Sequence, residues 1–478
     1  MADPLTYLNQ RQTEDWLIGQ DSRSFFRLAQ QTYETLQPYA DSLQPPIVLI
    51  ADTNPANFLA YFLAACAAHC TVVLADANWV NEWQQLSTCI YPQILLGDSI
   101  PPTFPISRLA PIVPISHPAI LIPTSGSSGQ LRFTIHTWDT LMASVEGFRH
   151  YFHVDRVNSF CVLRPHHVSG LMQFLRSLTS GGTLSLLPLS TLESDNTVDF
   201  DLGNYFLSLV PTQLHRLLAS PIPHHWLAQF QTVLLGGAPA WAELFTQARS
   251  SGIRLAPTYG MTETASQIVT LKPEDFLQGK LGCGQVLPHA EITVRGESGN
   301  VLPTGQVGVI TVQARSLALG YYAASGRITP LLEPGKAWFS TDDLGFYDAE
   351  GYLHLVGRNS HKIITGGENV FPAEVEAAIR ATGLVADVCV IGVDDREWGQ
   401  AITAIYVPSQ SAIAVTDIKT ALDGTLSRFK HPKHWFAVEQ LPRNAQGKLN
   451  RLQVQQLVDR LTELGNDRDA TENIPIRP

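Results

Sequence analysis

Short apolar runs recur along the first third of the chain, each closed by a turn residue and followed by a helical stretch. Ile47-Val48-Leu49-Ile50 is wholly apolar and ends at Asp52-Thr53-Asn54-Pro55, which predicts a turn and a helix cap. Residues 58–68 are alanine-rich and predict a helix, whereas Thr71-Val72-Val73-Leu74 is β-branched and predicts a strand. Residues 58–75 together match the roughly 18 residues of a membrane span, but the change of character within them reads as a buried helix leading into a buried strand. Ile94-Leu95-Leu96 and Ala119-Ile120-Leu121-Ile122 continue the series. Strands that are apolar throughout are buried on both faces, which predicts a largely parallel sheet covered by helices.

Further along, two more apolar runs stop at glycine turns. Thr232-Val233-Leu234-Leu235 meets Gly236-Gly237-Ala238-Pro239, and Arg254-Leu255-Ala256-Pro257-Thr258 enters Tyr259-Gly260-Met261-Thr262-Glu263. From residue 282 the texture changes to short strands with frequent Gly and Pro, over 291–295, 308–312 and 352–356, which predicts a β-rich subdomain. Residues 353–376, LHLVGRNSHKIITGGENVFPAEVE, read as a joint: a strand, a short polar segment, a glycine pair, then proline opening a helix. Beyond it, strands over 385–393 and 401–407 and helices over 374–381 and 417–426 predict a compact α+β domain. The expected division is an N-terminal domain over 1–357, a hinge over 358–361, a C-terminal domain over 362–464 and a frayed tail over 465–478.

Composition narrows the partners. The 478 residues are 45% hydrophobic and only 16% charged, with a formal net charge of −11. Disorder and a basic nucleic-acid-binding face are both excluded on that balance. The six cysteines are scattered, without a C-x-x-C pair, and read as reduced thiols of a cytoplasmic protein. The opening MADPLTYLNQRQTEDW lacks the basic-then-apolar order of a secretory signal. Oligomeric state is not legible.

The chemistry concentrates in loops. Pro123-Thr124-Ser125-Gly126-Ser127-Ser128-Gly129 follows a strand and precedes another, Phe133-Thr134-Ile135-His136. Two glycines and four hydroxyl residues permit a tight turn that aims donors into one concavity, as an anion nest requires, and equally permit a plain Ser/Gly hairpin. A Walker loop is excluded, because that motif has four residues between its glycines and Lys-Ser/Thr opening a helix, whereas here two residues separate Gly126 from Gly129 and a strand follows. His166-His167 ahead of an apolar helix reads either as caps and packing or as site residues. Glycine turns at the ends of strands lie where an α/β sheet binds its ligands.

Taken in order, these stretches resemble the acyl-adenylate-forming superfamily of acyl-CoA ligases, non-ribosomal adenylation domains and luciferases. The resemblance runs from about residue 47 to 451 and rests on TSGSSG at 124–129, YGMTE at 259–263, STDDLG at 340–345, GRNSHKIITGGENVFPAEVE at 357–376 and PRNAQGK at 442–448. Within it, His167-Val168-Ser169-Gly170, Leu234-Leu235-Gly236-Gly237-Ala238 and Thr262-Glu263-Thr264-Ala265-Ser266-Gln267 look most like the o-succinylbenzoate–CoA ligases of menaquinone and phylloquinone biosynthesis. Two positions depart from the superfamily pattern. Leu131-Arg132 stands where Pro-Lys is usual, and Asp342 stands where glycine is usual, adding a carboxylate that implies weaker ATP binding.

The resemblance implies a two-step reaction with ATP and CoA as co-substrates and Mg²⁺ as the metal: a carboxylate attacks the α-phosphorus of ATP, and CoA then displaces AMP. Thr124, Ser125, Gly126, Ser127, Ser128 and Gly129, with Arg132, would hold the β- and γ-phosphates. Glu263 would hold Mg²⁺, and Thr262 the α-phosphate. Gly236, Gly237, Ala238, Tyr259 and Gly260 would form the adenine slot, and Asp343 and Arg358 would bind the ribose. Lys448 would bridge the attacking carboxylate and the α-phosphate. His167 would close one side of the acyl pocket until CoA arrives, with Ser169 and Ser266 as donors near the acyl group; no residue stands out as partner for the substrate's aromatic carboxylate. Ser360 would be the pivot that removes Lys448 between steps, and Gly366 and Gly367 would line the CoA channel. Two alternatives stay open: a ligase for another aryl or medium-chain acid, and a non-catalytic nucleotide-binding homologue.

Overall fold

The structure is a computed structural model and describes residues 2–39, 46–106, 118–125, 131–193, 200–219, 226–323, 327–410, 413–443 and 449–465. It falls into two compact units. The first gathers residues 1–239, 247–292 and 312–339, and the second gathers 240–246, 293–311 and 340–478.

Two mixed sheets form the first unit. Among the described residues one has seven strands, in the order Ile328–Pro330, Gly320–Ala323, Leu131–His136, Ile120–Ser125, Thr71–Leu74, Ile47–Ile50 and Ile94–Leu96. Ile47–Ile50 and Thr71–Leu74 are buried at every position, as continuous apolar runs require, and they pair in parallel, Ile47 with Thr71. The helix between them, Pro55–Ala67, is buried almost all round; Asn54 caps it by accepting from the amides of Ala56 and Asn57. The parallel run ends at Ile120–Ser125, whose neighbour Leu131–His136 is antiparallel, with Thr124 opposite Arg132.

The second sheet has eight described strands and follows the same plan. Asn158–Phe160, Tyr205–Leu209, Thr232–Leu235 and Leu255–Met261 run parallel, and Ser266–Thr270 then turns back antiparallel. Helix Val168–Ser180 packs its buried residues into a core that includes Trp16, Phe25, Phe62 and Phe174. No described helix is long and apolar enough to cross a membrane, so the apolar stretch at 58–75 divides into helix and strand as its composition indicates.

A four-stranded sheet, most of whose residues belong to the second unit, runs Ala290–Arg295, Gly308–Ala314, Phe339–Tyr347 and Leu353–Arg358. Beyond it Val385–Asp395 and Gly399–Pro408 form a long antiparallel pair, packed by helices Pro372–Ala381 and Val415–Leu422 around Val375, Ile379, Val390, Ile402, Tyr406 and Ile418. The glycine pair proves to be a hairpin turn rather than a loose linker. Ile363–Thr365 and Glu368–Val370 pair antiparallel across Gly366 and Gly367, which take φ of 56° and 84°. Two consecutive positive φ values make this the turn type for which Gly-Gly is suited. All six cysteines are free, and five of them, Cys66, Cys70, Cys89, Cys161 and Cys389, are buried.

Candidate active site

The expected phosphate loop lies between the antiparallel strands Ile120–Ser125 and Leu131–His136. Thr124 and the backbone of Ser125 end the first strand, whereas Gly126, Ser127, Ser128 and Gly129 lie outside the described residues, as does Lys448. Arg132, on the second strand, is brought to Glu263. Its guanidinium lies over the Tyr321 ring at 4.2 Å, and its Nη2 is 3.7 Å from Glu263 Oε1.

Glu263 is only 7% exposed and sits in the short turn Thr262–Thr264 that follows strand Leu255–Met261. Tyr321 donates its hydroxyl to Glu263 Oε1 at 2.8 Å. Burial, and then the Glu263 charge and hydrogen bond, push the Tyr321 phenol far above its ordinary range, so it stays a donor. Glu263 Oε2 has no hydrogen-bond partner among the described residues. A lone anionic oxygen suits Mg²⁺, which binds through one or two carboxylates plus phosphate oxygens and keeps water.

Thr262 is fixed from behind. His136, fully buried, places Nε2 at 2.7 Å from the Thr262 carbonyl oxygen and Nδ1 at 3.0 Å from Thr140 Oγ1. Burial lowers its pKa to about 4, and burial followed by the Arg315 and Arg176 charges does the same for His289. An unfolded histidine titrates near 6.5, so between about pH 6.5 and 4 the unfolded chain takes up protons that the folded chain refuses. We therefore expect stability to be full above pH 6.5 and to fall as pH drops towards 4, by up to about 1.4 kcal/mol per pH unit for each histidine. Melting temperatures at pH 7, 6 and 5 check this. His136→Gln should remove its share of the slope, and an unchanged slope would exclude His136 as a source.

The adenine candidates meet at the ends of two parallel neighbours. Leu235 is in register with Pro257, so Gly236, Gly237 and Ala238 leave their strand beside Thr258 and Tyr259. The backbone is tightly placed here: a Cβ on Gly236 would fall 2.4 Å from Thr258 Oγ1, and one on Gly260 would fall 2.2 Å from the Ser266 carbonyl oxygen. Tyr259 is buried, whereas Gly237 and Ala238 are exposed.

Ser266 belongs to a strained turn. Ala265 and Ser266 have φ of 51° and 93°, a region that residues with a Cβ rarely occupy. Ser144 donates to the Ala265 carbonyl at 2.7 Å, and Arg176 donates Nη2 to Ser266 Oγ at 3.1 Å and to Gln267 Oε1 at 3.2 Å. Such strain persists where the surroundings over-determine it, often at ligand sites. Arg176 is the residue that sequence reasoning missed. It is 2% exposed, its guanidinium lies 4.0 Å over the Phe148 ring, its Nε has no partner, and no described carboxylate forms an ion pair with it. Burial lowers its pKa to about 9, still cationic at neutral pH. A desolvated charge without a counter-ion calls for an anionic ligand.

His167 caps helix Val168–Ser180, and Ser169 lies exposed in the first turn. Behind His167 stand His166 and Asp76. His166 Nε2 is 3.0 Å from His167 Nε2 and 3.2 Å from Asp76 Oδ2. These three are the candidate metal-ligand group among the described residues. Arg164 already pairs with both Asp76 oxygens, at 3.1 and 2.9 Å, so the carboxylate charge is answered by a guanidinium.

Within the second unit, Asp343 and Arg358 are directly opposite on paired strands, with Arg358 Nε donating to Asp343 Oδ1 at 3.3 Å. Arg358 is about half exposed, so this contact adds little stability and leaves the guanidinium accessible. Asp342 is turned to the expected pivot: its Oδ1 accepts from the Ser360 amide at 3.0 Å and its Oδ2 from the Ser360 hydroxyl. Gly366 is packed against Trp398, whose ring a Cβ would approach to 3.1 Å.

Comparison with known proteins identifies the family. The profile described as AMP-binding enzyme matches residues 46–322, and that of the AMP-binding enzyme C-terminal domain matches 374–448. A relative named 2-succinylbenzoate–CoA ligase from Enterococcus faecalis is 32% identical over 333 residues, 69% of this chain and 68% of that protein. One of the same name from Oceanobacillus iheyensis is 33% identical, covering 69% of this chain and 67% of that protein. Among solved structures, o-succinylbenzoate CoA synthetase from Bacillus subtilis in complex with its acyl-adenylate intermediate superposes with a TM-score of 0.77 at 26% identity, over 94% of this chain and 97% of that one. A profile that spans more than half of the chain, joined to relatives of this similarity, shows that the chain belongs to the AMP-binding enzyme family.

Proposed function

We propose that this protein is an ATP-dependent acid–CoA ligase that converts 2-succinylbenzoate to its CoA thioester, with release of pyrophosphate and AMP. The observation that carries the substrate is Arg176, a buried cation with no described carboxylate partner beside Ser266. 2-Succinylbenzoate has two carboxylates: one is activated and the other stays ionised through the reaction. The retained aromatic carboxylate would pair with Arg176 and accept from Ser266, meeting the need of a charged group entering an apolar pocket. The relatives' names support the same acid.

In the first step the succinyl carboxylate attacks the α-phosphorus, and pyrophosphate leaves with the electrons of the broken P–O bond. In the second the CoA sulfur attacks the acyl carbon, the thiol proton is lost, and AMP leaves. Neither step needs a protein nucleophile, so catalysis is positioning and charge stabilisation. Thr124 to Gly129 and Arg132 would seat the β- and γ-phosphates, Thr262 the α-phosphate, Gly236 to Ala238 with Tyr259 and Gly260 the adenine, and Asp343 with Arg358 the ribose. Glu263 would hold Mg²⁺ through Oε2. The ion, when bound, neutralises phosphate charge and draws electrons from the leaving group. Lys448 would serve adenylation, His167 would separate the acyl pocket from the thiol entrance, and Gly366-Gly367 would line the path of CoA. Ser360 is the pivot of the alternation, within a hinge at 358–361 between domains at 1–357 and 362–464, and Asp342 would hold it in its present turn. Free, mostly buried cysteines fit a cytoplasmic setting.

The test is pyrophosphate release and CoA-ester formation over a panel of acids. We expect 2-succinylbenzoate to exceed benzoate and octanoate by at least the roughly 30-fold that one charge-assisted contact supplies. Parity among the three would overturn the substrate, and failure to release pyrophosphate with any acid would overturn the ligase reading.

A further inference from the structure

We propose that His166, backed by Asp76, is a positioning residue that fixes the tautomer and ring orientation of His167. The inference rests on the role given to His167 above.

Asp76 is 5% exposed and held from several directions. Its Oδ1 accepts the amide of Asn78 at 2.9 Å and the Asn78 side chain at 3.0 Å, and Arg164 reaches both oxygens. Burial pushes the carboxyl up, but the hydrogen bond and charge of His166, with two hydrogen bonds from Asn78, outweigh it and hold Asp76 well below the usual carboxylate range. His166 is 5% exposed, with Phe58 edge-on to its ring at 6.5 Å. Neither group has room to reorient.

The proton arrangement follows from what faces His166 Nε2. That nitrogen is 3.2 Å from a carboxylate oxygen and 3.0 Å from His167 Nε2. A bare lone pair there would face the Asp76 lone pairs, so His166 carries the hydrogen on Nε2, whether its ring is neutral or charged. That single hydrogen is shared between the Asp76 oxygen and His167 Nε2, and a second hydrogen on His167 Nε2 would collide with it at this distance. His167 therefore accepts on Nε2 and carries its own hydrogen on Nδ1. A histidine at the head of a helix, with no side-chain cap bond of its own, is thereby held by a partner ring. The same logic orients ring nitrogens in metal and triad sites, where a carboxylate behind an imidazole sets its tautomer.

A misplaced His167 would admit water beside the acyl-adenylate. Water would then replace the thiol at the acyl carbon, giving the free acid and AMP, and pyrophosphate would be released without thioester. The readout is thus pyrophosphate released per CoA ester formed, a ratio that a merely structural defect does not move. We expect His166→Leu to raise it about three- to tenfold, the worth of one hydrogen bond, and to match His167→Ala. The double variant should be no worse than His167→Ala alone, since both changes remove one arrangement. His166→Gln, whose amide offers one N–H to Asp76 and one to His167, should restore the ratio. A His166→Leu ratio equal to the parent's, or a Gln variant as leaky as the Leu variant, would overturn the proposal. Nitrogen-15 NMR of histidine-labelled protein separates the two layers. An unprotonated His167 Nε2 that changes in His166→Leu upholds the tautomer assignment even if His167→Ala proves tightly coupled, in which case the role of His167 is what fails. A protonated His167 Nε2 in the parent protein overturns the assignment itself.

Discussion

Replacing Arg176 with methionine should cut kcat/KM for 2-succinylbenzoate by about 30- to 150-fold, the equivalent of the roughly 2–3 kcal/mol carried by charge-assisted hydrogen bonds to a buried carboxylate. The loss should fall on KM for the acid, because the retained carboxylate is equally charged in the ground and transition states. Benzoate, which has no second carboxylate, should be nearly unaffected. Arg176→Lys should recover only part of the loss, since an ammonium keeps the charge but not the planar fork. The competing account is that Arg176 merely holds the strained turn at Ala265 and Ser266 through its bonds to Ser266 and Gln267. On that account all acids suffer alike and the melting temperature falls with activity. Parallel kinetics on the two acids with a thermal scan decides between them.

Glu263→Gln should lower the rate of pyrophosphate release about 10²- to 10³-fold, the scale seen when a charge-stabilising group is removed from a site of phosphoryl or acyl transfer. The substitution keeps size and most packing at a position that is 7% exposed, so the fold should survive. The Mg²⁺ concentration for half-maximal rate should rise, because an amide oxygen is a poorer ligand than a carboxylate for a hard cation. Tyr321→Phe is the companion variant. It deletes the 2.8 Å hydrogen bond to Glu263 and should cost about tenfold, as expected for a bond to a charged group. A Glu263→Gln enzyme with the parent's Mg²⁺ dependence would remove Glu263 from metal binding. Hydroxyl loss at Tyr321 without effect would mean that the carboxylate is positioned by Arg132 alone.

How far these residues could be read beforehand depended on the distance over which each signal acts. Strands Ile47–Ile50 and Thr71–Leu74 were legible to the residue, because an unbroken apolar run beside an Asx-Pro cap leaves little choice. The strand pairing was only partly legible. The hydrophobic pattern does not say that Leu131–His136 runs antiparallel to Ile120–Ser125, since both directions bury the same side chains. Glu263, Asp343 and Arg358 stood out through local motifs. Arg176 did not: on helix Val168–Ser180 it flanks the apolar positions Met172 and Leu175, where a long cation ordinarily snorkels to water. Its burial arises from Phe148, Ser266 and Gln267, far away in the chain. Tyr321 was hidden in the same way among the alternating residues of Gly320–Ala323, and Asp76 lies 88 residues before Arg164. Asp342 shows what a local motif leaves out. Beside a ribose motif it reads as added charge near the nucleotide, and in the fold that same carboxylate accepts from the Ser360 amide and hydroxyl, a contact 18 residues along the chain that the motif does not indicate.

The buried cysteines have a chemical consequence of their own. Burial pushes Cys70, Cys161 and Cys389 up to about 12 and Cys89 to about 11, and raises Cys66 well above its ordinary value. Only the thiolate is an effective acyl acceptor. A protein that generates a mixed anhydride reactive enough to acylate CoA thereby keeps five of its own six thiols protonated and buried, where they are poor acceptors for the acyl group.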